Sequence, residues 1–425
     1  MTAIVFLTTL FGSIAIGVPI AFGLLLCAVA LMYNLGSVDA QILAQKVIDG
    51  ADSYPLLAIP FFLLAGELMN AGGLSKRILA LALGLFGHLR GGLGFVVIGT
   101  GLLLASLSGS AIADTATLAV MLLPMMREVG YRVDQSAGLM AATGIIAPII
   151  PPSVGFIVLG VTANISILKL FMAGIVPGLL MGVSLIIVWW FMSRNDTTSV
   201  LPKQTRGELV KRLREAGWAL FLPVIIVGGL RFGMFTPTEA GVVAAAYALL
   251  ISVFIYREID AKKLYDAILS SALMTAVIML LVAASMVTAW LIAIANLPAQ
   301  IIGLIQPFID SPTTVMAIIV LLVFVIGMFL DFTPSITILV PVLLPVVKAA
   351  GIDPVYFGVM FVMTAAIGMI TPPVGAVLNT VCSVARISMA QAVRGVLPFL
   401  FAELVLLVLL TLFPSLVLVP ASWFG

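Results

Sequence analysis

The stretch IIPPSVG at residues 149–155 recurs as MITPPVG at residues 369–375. A second pair, LLPMMREVG at 122–130 and LLPVVKAAG at 343–351, repeats at the same shift of about 220 residues. Self-similarity at one fixed shift indicates an internally repeated architecture. The 425-residue chain is therefore predicted to fold as two related halves.

One long polar segment, SRNDTTSVLPKQTRGELVKRLREAG at residues 193–217, separates these halves. We predict a first repeat over residues 1–193, a linker or surface helix over 194–217, and a second repeat over 218–425. Within the first repeat we expect a hairpin over about 91–127 and a broken helix over about 134–163. In the second repeat the corresponding segments are about 312–348 and about 354–385.

The composition requires lipid as the solvent, because 63% of the residues are hydrophobic, 9% are charged and the mean hydropathy is +1.29. Apolar runs near the roughly 20 residues that a membrane helix needs recur along the chain, for example at 178–192, 276–295 and 396–413. We expect an all-α polytopic membrane protein. Each half should hold about five transmembrane helices, one of them a long apolar helix, and one re-entrant hairpin.

The distribution of Lys and Arg predicts the orientation. With a cytoplasmic linker and five crossings per half, sixteen of the 20 basic residues lie inside and four outside. One unbroken helix over residues 221–255 would move five of the sixteen outside, so a split there is favoured. An odd number of crossings inverts the second repeat and places both termini outside. Inverted repeats are typical of transporters.

Several other classes of protein lose support from the composition. His88 is the only histidine, and Cys27 and Cys382 are the only cysteines, which argues against His-based metal sites, Ser-His-Asp chemistry and a disulfide framework. We expect no enzyme. The Walker A pattern is absent, and scattered basic residues indicate no nucleic-acid partner. An ion channel is the rival class, but it would need a pore lined by rings of equivalent groups.

Helix breakers at membrane depth indicate sites, because hydrocarbon tolerates non-helical backbone only where protein or a water-filled cavity satisfies it. Four such places form two pairs: hairpin apices in SLSGSAIADTAT (106–117) and GMFLDFTPSIT (327–337), and breaks at Pro-Pro pairs 151–152 and 372–373. Free carbonyls with Ser, Thr and Asp oxygens suit Na⁺, and half-helix N-termini suit an anion. The alternative is that these residues only kink or back-bond their own helices.

Five acids lie within apolar segments, where a charge is expensive without a partner. Asp114 and Asp331 occupy the apices, which favours a cation-site role over helix capping. Glu239 follows TPT, so capping is predicted. Glu67 and Glu403 stay open between pairing with a basic residue and facing another subunit.

The ordered segments resemble the large membrane subunit of TRAP transporters, the tripartite ATP-independent periplasmic carriers, over essentially the whole chain. They are GVPIAF (17–22), IPFFLLAGELMNAGGL (59–74), SLSGSAIADTATLAVMLLPMM (106–126), APIIPPS (147–153), FGMFTPTEAG (232–241), GMFLDFTP (327–334) and ILVPVLLP (338–345). The phrase ADTATLAVMLLP is also similar to the Ser-Asn-Thr hairpin tips of divalent anion/sodium symporters. In this chain Asp114-Thr115 stands where those symporters have Asn-Thr, and Ala113 replaces their Ser.

The resemblance implies an elevator mechanism, in which two hairpins and two broken helices carry substrate past a fixed scaffold in the bacterial inner membrane. It implies coupling to Na⁺ and import of a small organic acid, such as sialic acid, a C4-dicarboxylate or a related sugar or keto acid. A small four-helix membrane subunit, expected as a separate chain, and a periplasmic binding protein are the implied partners. A carrier that works without a binding protein, like the anion symporters, is the alternative.

The resemblance also implies particular site residues, with the substrate between the two apices. The first sodium site would use apex residues together with the first break: Ser106, Ser108, Gly109, Ser110, Asp114, Pro151, Ser153 and Gly155. The second would use Asp331, Thr333, Pro334, Thr371 and Gly375. Substrate contacts are assigned to Thr115, Ser335 and Asn379.

Overall fold

A computed structural model describes residues 2–36, 38–194 and 201–424, which form helices and connecting turns without a β-strand. The expected all-α class is confirmed. In the first half the helices are α1 (Thr2–Ala15), α2 (Ile20–Asn34), α3 (Ala40–Ala51), α4 (Ala58–Ala71), α5 (Leu74–Phe86), α6 (Gly92–Ser108), α7 (Ala111–Glu128), α8 (Val133–Gly144), α9 (Val154–Ala163) and α10 (Ile167–Ser193).

The second half repeats this order. Its helices are α11 (Arg206–Arg231), α12 (Pro237–Leu250), α13 (Ala261–Ile294), α14 (Leu297–Ile305), α15 (Pro312–Gly327), α16 (Phe332–Ala349), α17 (Pro354–Gly368), α18 (Ala376–Ala385), α19 (Met389–Leu412) and α20 (Ser415–Phe424). Helices α6 to α10 correspond to α15 to α19 at a shift of about 220 residues. The hairpins are α6–α7 and α15–α16, and the broken helices are α8–α9 and α17–α18.

The expectation of one long apolar helix in each half is wrong for the first half. In the second half α13 runs unbroken for 34 residues. Its counterpart is interrupted between α3 and α4 by the 3₁₀ turn Tyr54–Leu57. Pro55 explains the break, since proline supplies no N–H to a helix and disfavours helical geometry at the residue before it.

The predicted split within residues 221–255 is confirmed, because α11 ends at Arg231 and α12 begins at Pro237. Thr236 and Glu239 cap α12 reciprocally: the Thr236 N–H donates to the Glu239 carboxylate at 2.7 Å and the Glu239 N–H to the Thr236 hydroxyl at 3.3 Å. The capping role predicted for Glu239 is therefore confirmed.

Within the described ranges, 7 helical segments are long and apolar enough to cross a bilayer unaided. The other apolar helices have 10–17 residues and include the hairpin arms α6 and α15 and the half-helices α9 and α18. Large apolar side chains on the outer surface, such as Val277 at 64% exposed and Phe401 at 70%, suit contact with lipid.

Helix packing groups the chain into two bodies, which also contact each other, chiefly through α5 with α6 and α13 with α16. The first body consists of α1–α5 and α11–α14, held by contacts such as α4 with α12 and α13 with α2. The second body consists of α6–α10 and α15–α20, held by contacts such as α8 with α19 and α16 with α9. Five fully buried phenylalanines form the core of the second body: Phe156, Phe171, Phe357, Phe361 and Phe399.

A cavity of about 400 Å³ lies where the two bodies meet. The first body lines it with Tyr54 and Pro55 of the break between α3 and α4 and with Thr236 before α12. The second body lines it with the α9–α10 turn, including Asn164 and Ser166. The interrupted helix of the first repeat is thus one wall of an open space between the bodies.

Candidate ion and substrate site

The apex of the first hairpin lies directly against the first broken helix. Helix α6 ends at Ser108, and Gly109 turns the chain with φ +62° before α7 begins at Ala111. A Cβ on Gly109 would lie 2.8 Å from the Pro152 carbonyl oxygen. Glycine meets both demands, since it lacks a Cβ and adopts positive φ at no steric cost. The structure thus joins the two segments predicted to form the first sodium site.

Asp114 is the acidic group of this apex and is 3% exposed. The Ser108 hydroxyl donates to its Oδ1 and accepts the Ser110 N–H at 3.2 Å. Oδ2 is buried and has no hydrogen-bond partner within the described residues. Ser110, not Asp114, caps α7 by accepting the Ala113 N–H at 3.4 Å. A buried, unpaired carboxyl oxygen is expensive, and a bound cation would relieve that cost.

The first break is buried throughout residues 151–155. The Pro151–Pro152 bond is cis. The Ser153 hydroxyl donates to the Pro148 carbonyl at 2.5 Å and caps α9 by accepting the Phe156 N–H at 3.2 Å. Ser106 donates to the Leu103 carbonyl of its own helix at 2.7 Å. Both hydroxyls keep a free lone pair, as serine oxygens have two.

The second apex and the second break are joined in the same way. The Gly375 N–H donates to the Met328 carbonyl at 3.1 Å, linking the break to the C-terminal end of α15. Asp331 is the N-cap of α16, and its Oδ1 accepts the Phe332 N–H at 2.6 Å. Thr371 donates to the Ile367 carbonyl at 2.9 Å. The Gly375 bond therefore joins the second break to the second apex, where Asp331 lies.

The two sites share the centre of the second body. Helix α16 packs on α9, and α7 packs on α18, so each hairpin contacts the broken helix of the other repeat. At the first of these contacts a Cβ on Gly155 would lie 3.2 Å from the ring of Phe332. Sequence reasoning missed Phe332, because only the folded chain brings it beside the opposite break.

The two breaks differ in capping and in exposure. Helix α9 begins after Ser153, whose hydroxyl accepts the Phe156 N–H. Helix α18 begins after Gly375, which has φ +53° and provides no side-chain cap. Val374 beside it is 39% exposed, and the Pro372–Pro373 bond is cis. The Val377 N–H already donates to the Met369 carbonyl at 3.1 Å, and the remaining first N–H groups of this helix N-terminus are available for an anion.

The three candidate substrate residues occupy different environments. Asn379 is exposed on α18 and donates to the Val374 carbonyl at 3.0 Å. Ser335 is fully buried and donates to the Asp331 carbonyl at 2.8 Å. Thr115 is fully buried against Gly144 of α8. Of the three, only Asn379 lies at an open surface, and all three assignments stay predictions.

Two buried threonines near the first hairpin were not predicted. Thr100 and Thr143 are each 1% exposed, and their hydroxyls have no hydrogen-bond partner in the described part of the chain. The Thr143 methyl lies 2.1 Å from where a Cβ of Gly101 would stand. In the sequence each of these threonines is a single hydroxyl within an apolar run, which alone does not indicate a site.

The two unassigned glutamates contact serines. Ser270 of α13 donates to Glu67 of α4 at 2.9 Å. Ser184 of α10 lies 2.8 Å from Glu403 of α19. Neither glutamate belongs to an ion pair among the described residues. Pairing with a basic residue is therefore not seen for either one.

Paired hairpins and broken helices inside an apolar, all-helical chain define a membrane transport protein. The sequence profile of the family described as Tripartite ATP-independent periplasmic transporter, DctM component, matches residues 7–416. The chain is 53% identical to a TRAP transporter large permease protein of Haemophilus influenzae. It is 52% identical to the 2,3-diketo-L-gulonate TRAP transporter large permease protein YiaN of Escherichia coli, and both alignments cover 100% of each chain.

The chain therefore belongs to the DctM component family, the large permease subunits of TRAP transporters. It is a transporter permease subunit and not an enzyme, as predicted. Its fold is similar to that of the YdaH transporter of Alcanivorax borkumensis, with a TM-score of 0.69 at 15% identity, over 92% of this chain and 96% of that chain. At this identity the similarity concerns the fold alone.

Proposed function

We propose that this chain is the large permease subunit of a Na⁺-coupled secondary transporter that imports a small organic acid. The observation that carries the proposal is the first apex, where the buried Oδ2 of Asp114 has no partner among the described residues and Gly109 lies against the Pro152 carbonyl. Carboxyl, hydroxyl and carbonyl oxygens are hard ligands suited to a small cation. We assign the first Na⁺ here and the second to the apex of Asp331 with the break at Gly375.

The proposed substrate is an acid because the uncapped N-terminus of α18 lies at the accessible break. Relatives differ in the acid that their names give. The permease named for 2,3-diketo-L-gulonate is 52% identical to this chain, and the Vibrio cholerae permease named for sialic acid is 38% identical. The Pseudomonas aeruginosa permease named for C4-dicarboxylate is 34% identical. We place this chain with importers of sugar or keto acids, as its identity to the diketogulonate permease favours.

The mechanism proposed is an elevator, in which the second body moves past the first. The division of the packing supports it, since both apices and both breaks belong to the second body. The partners are a periplasmic binding protein that delivers the acid and a small four-helix membrane subunit on a separate chain. We propose an inner-membrane location, with both termini periplasmic and residues 194–217 cytoplasmic. Nothing in this scheme uses ATP.

The test is uptake of labelled 2,3-diketo-L-gulonate or sialic acid into proteoliposomes that hold this chain and its small partner. An inward Na⁺ gradient and the binding protein are each supplied or omitted, and K⁺ replaces Na⁺ in the control. Uptake that needs both supports the proposal. Uptake with Na⁺ alone would assign the chain to carriers that need no delivery, and uptake without Na⁺ would contradict both cation sites.

A further inference from the structure

Glu403 lies well inside α19, is fully buried, and contacts Ser184 of α10. Helices α10 and α19 are the equivalent last long helices of the two repeats, so this contact joins the repeats within the second body. One carboxyl oxygen, Oε1, lies 2.8 Å from the Ser184 hydroxyl oxygen. The other, Oε2, is buried without a hydrogen-bond partner among the described residues.

The Ser184 hydroxyl oxygen also lies 2.7 Å from the carbonyl oxygen of Met181 in its own helix. A serine hydroxyl has one proton, and a carbonyl oxygen can only accept. If Glu403 were ionised, both the Glu403 carboxylate and the Met181 carbonyl would be acceptors, and the single Ser184 proton could serve only one of them. The other short oxygen–oxygen contact would then lack a proton. If Glu403 is protonated, it donates to Ser184, and Ser184 donates to Met181. Each contact then has its own proton.

Among the described residues of α10 and α19, the cations lie toward the helix ends, including Arg194 at the C-cap of α10, about 15 Å along the helix from Ser184. Lys169 begins α10 about 22 Å along the helix from Ser184, and Arg394 lies about 14 Å from Glu403 along α19. The neighbouring elements α6, α8, α9, α15, α17, α18 and α20 carry no charged residue in their interiors. The remaining titratable groups on them, or at their caps, are Arg132, Asp134, Asp353, Tyr356, Cys382 and Arg386.

We propose that Glu403 is a loaded proton-binding site that acts as a neutral hydrogen-bond donor between α19 and α10. It is separate from both proposed sodium sites, and the inference does not depend on Na⁺ coupling. Burial without a cation favours the neutral acid over the carboxylate. The site therefore adds a proton to the second body but no charge, and the seam between the repeats stays electrically neutral.

Infrared spectroscopy of the purified full chain tests the protonation directly. The wild-type protein should show a protonated carboxyl C=O band at neutral pH that Glu403→Gln lacks. Ser184→Ala should keep this band but shift it to higher frequency, because the acid loses its acceptor. If the Glu403→Gln difference spectrum shows loss of a carboxylate band instead, the proposal is overturned.

Stability against pH gives a second, independent measurement. A glutamate in the unfolded chain is ionised near neutral pH, so a protonated Glu403 binds one more proton in the folded state. The folding constant of the wild type relative to Glu403→Gln should therefore fall about tenfold per pH unit on raising pH, until the folded site ionises. Parallel profiles for the two proteins would contradict a protonated Glu403.

Uptake measurements distinguish a Glu403 that stays protonated from one that must release its proton during transport. The amide of Glu403→Gln can still donate to Ser184, so Na⁺-driven uptake should stay within about twofold of the wild type. Glu403→Ala loses the donor and leaves a cavity, so it should be less stable than the glutamine variant. Loss of uptake in a folded Glu403→Gln protein would show that ionisation is required and would overturn the neutral-donor role.

Discussion

Ser153 and Gly375 each stand immediately before a half-helix, although in the repeated motif Gly375 aligns with Gly155. Ser153 has an extended backbone, and its hydroxyl caps α9. Gly375 has φ +53°, and it leaves the first N–H groups of α18 without a side-chain partner. The residue before the half-helix therefore caps α9 in the first repeat but provides no side-chain cap to α18 in the second. We infer that the acid end of the substrate binds at α18.

Asp331→Ala should abolish Na⁺-driven uptake while the protein stays folded, since the second proposed cation site loses its only carboxylate. The variant also loses an N-cap, which typically costs about 0.5–2 kcal/mol. Asp353→Ala is the matched control. Asp353 caps α17 by accepting the Val355 and Tyr356 N–H groups at 2.8 and 2.9 Å, and it lies outside both proposed sites. Uptake against Na⁺ concentration should change only for Asp331→Ala.

Gly109→Ala should weaken Na⁺-driven uptake severely, because the new Cβ would push the apex away from the Pro152 carbonyl, which is 2.8 Å from that position. Gly351→Ala is the control, since Gly351 has a similar φ of +68° but nothing within 4 Å of its Cβ position. It therefore carries the backbone strain of a left-handed alanine without displacing a neighbouring segment. A left-handed alanine costs roughly 1–2 kcal/mol in either place. Equal effects on uptake from the two variants would argue against a cation site at the apex.

At this scale the sequence predicts roles that depend on near neighbours and misses those that depend on distant ones. Glu239 was identified as a cap because its partner, Thr236, is three residues away. Phe332 was missed because its partner, Gly155, lies in the other repeat. Prolines and glycines at the apices and breaks were visible because backbone geometry restricts which residues fit.

At the element scale, α8 and α19 approach each other closely, and glycine permits it. A Cβ on Gly395 would lie 1.9 Å from the Asp134 carbonyl oxygen, and one on Gly138 would lie 2.3 Å from the Gly395 carbonyl carbon. In α15 and α17 of the second body the same device recurs, since a Cβ on Gly368 would lie 2.6 Å from the backbone of Gly327. Small residues at crossings are how membrane helices approach each other closely.

Gly395→Ala should destabilise the protein by about 1–3 kcal/mol, the usual cost of overpacking, because α8 and α19 must separate. Gly217→Ala is the control, since Gly217 lies in α11 with nothing within 4 Å of its Cβ position. Replacing an uncrowded helical glycine by alanine should gain up to about 1 kcal/mol. Thermal unfolding in detergent compares the two, and a Gly395→Ala protein as stable as Gly217→Ala would contradict the crossing.

The elements were predicted well where breakers recur in both repeats and less well where they do not. The hairpins and broken helices followed from paired Pro and Gly motifs. The interruption of the first long helix was missed because Pro55 has no counterpart in α13. Pattern comparison between repeats therefore finds shared features and passes over the ones that distinguish the halves.

Across the whole molecule, movement of the second body past the first is tested by cross-linking. The rings of Phe62 in the first body and Phe171 in the second lie 6.5 Å apart. Phe171 lies at the same 6.5 Å from Phe156 of its own body. After replacement of both native cysteines by serine, the Phe62→Cys/Phe171→Cys pair bridged by Hg²⁺ should lose uptake. The Phe156→Cys/Phe171→Cys pair should retain it.

Excess thiol, which takes the Hg²⁺ from the cysteines by ligand exchange, gives the unbridged reference for each pair, since removing large core side chains alone costs stability. Recovery of uptake in the inter-body pair on adding thiol would assign the loss to the bridge. Full uptake by the bridged inter-body pair would contradict the elevator and favour a local gate at the apices. The sequence predicted the repeats but not the partition of helices between two bodies, because packing partners are not encoded locally.

The cavity between the Tyr54 turn and the α9–α10 turn has one wall in each body. At about 400 Å³ it has room for roughly a dozen water molecules at their volume in the liquid. If the bodies slide, this water must leave and return in every cycle. Expelling the water and re-admitting it cancel over a full cycle, but a solute too large to enter the cavity should favour the state with less water there and so alter the turnover rate without touching the substrate site.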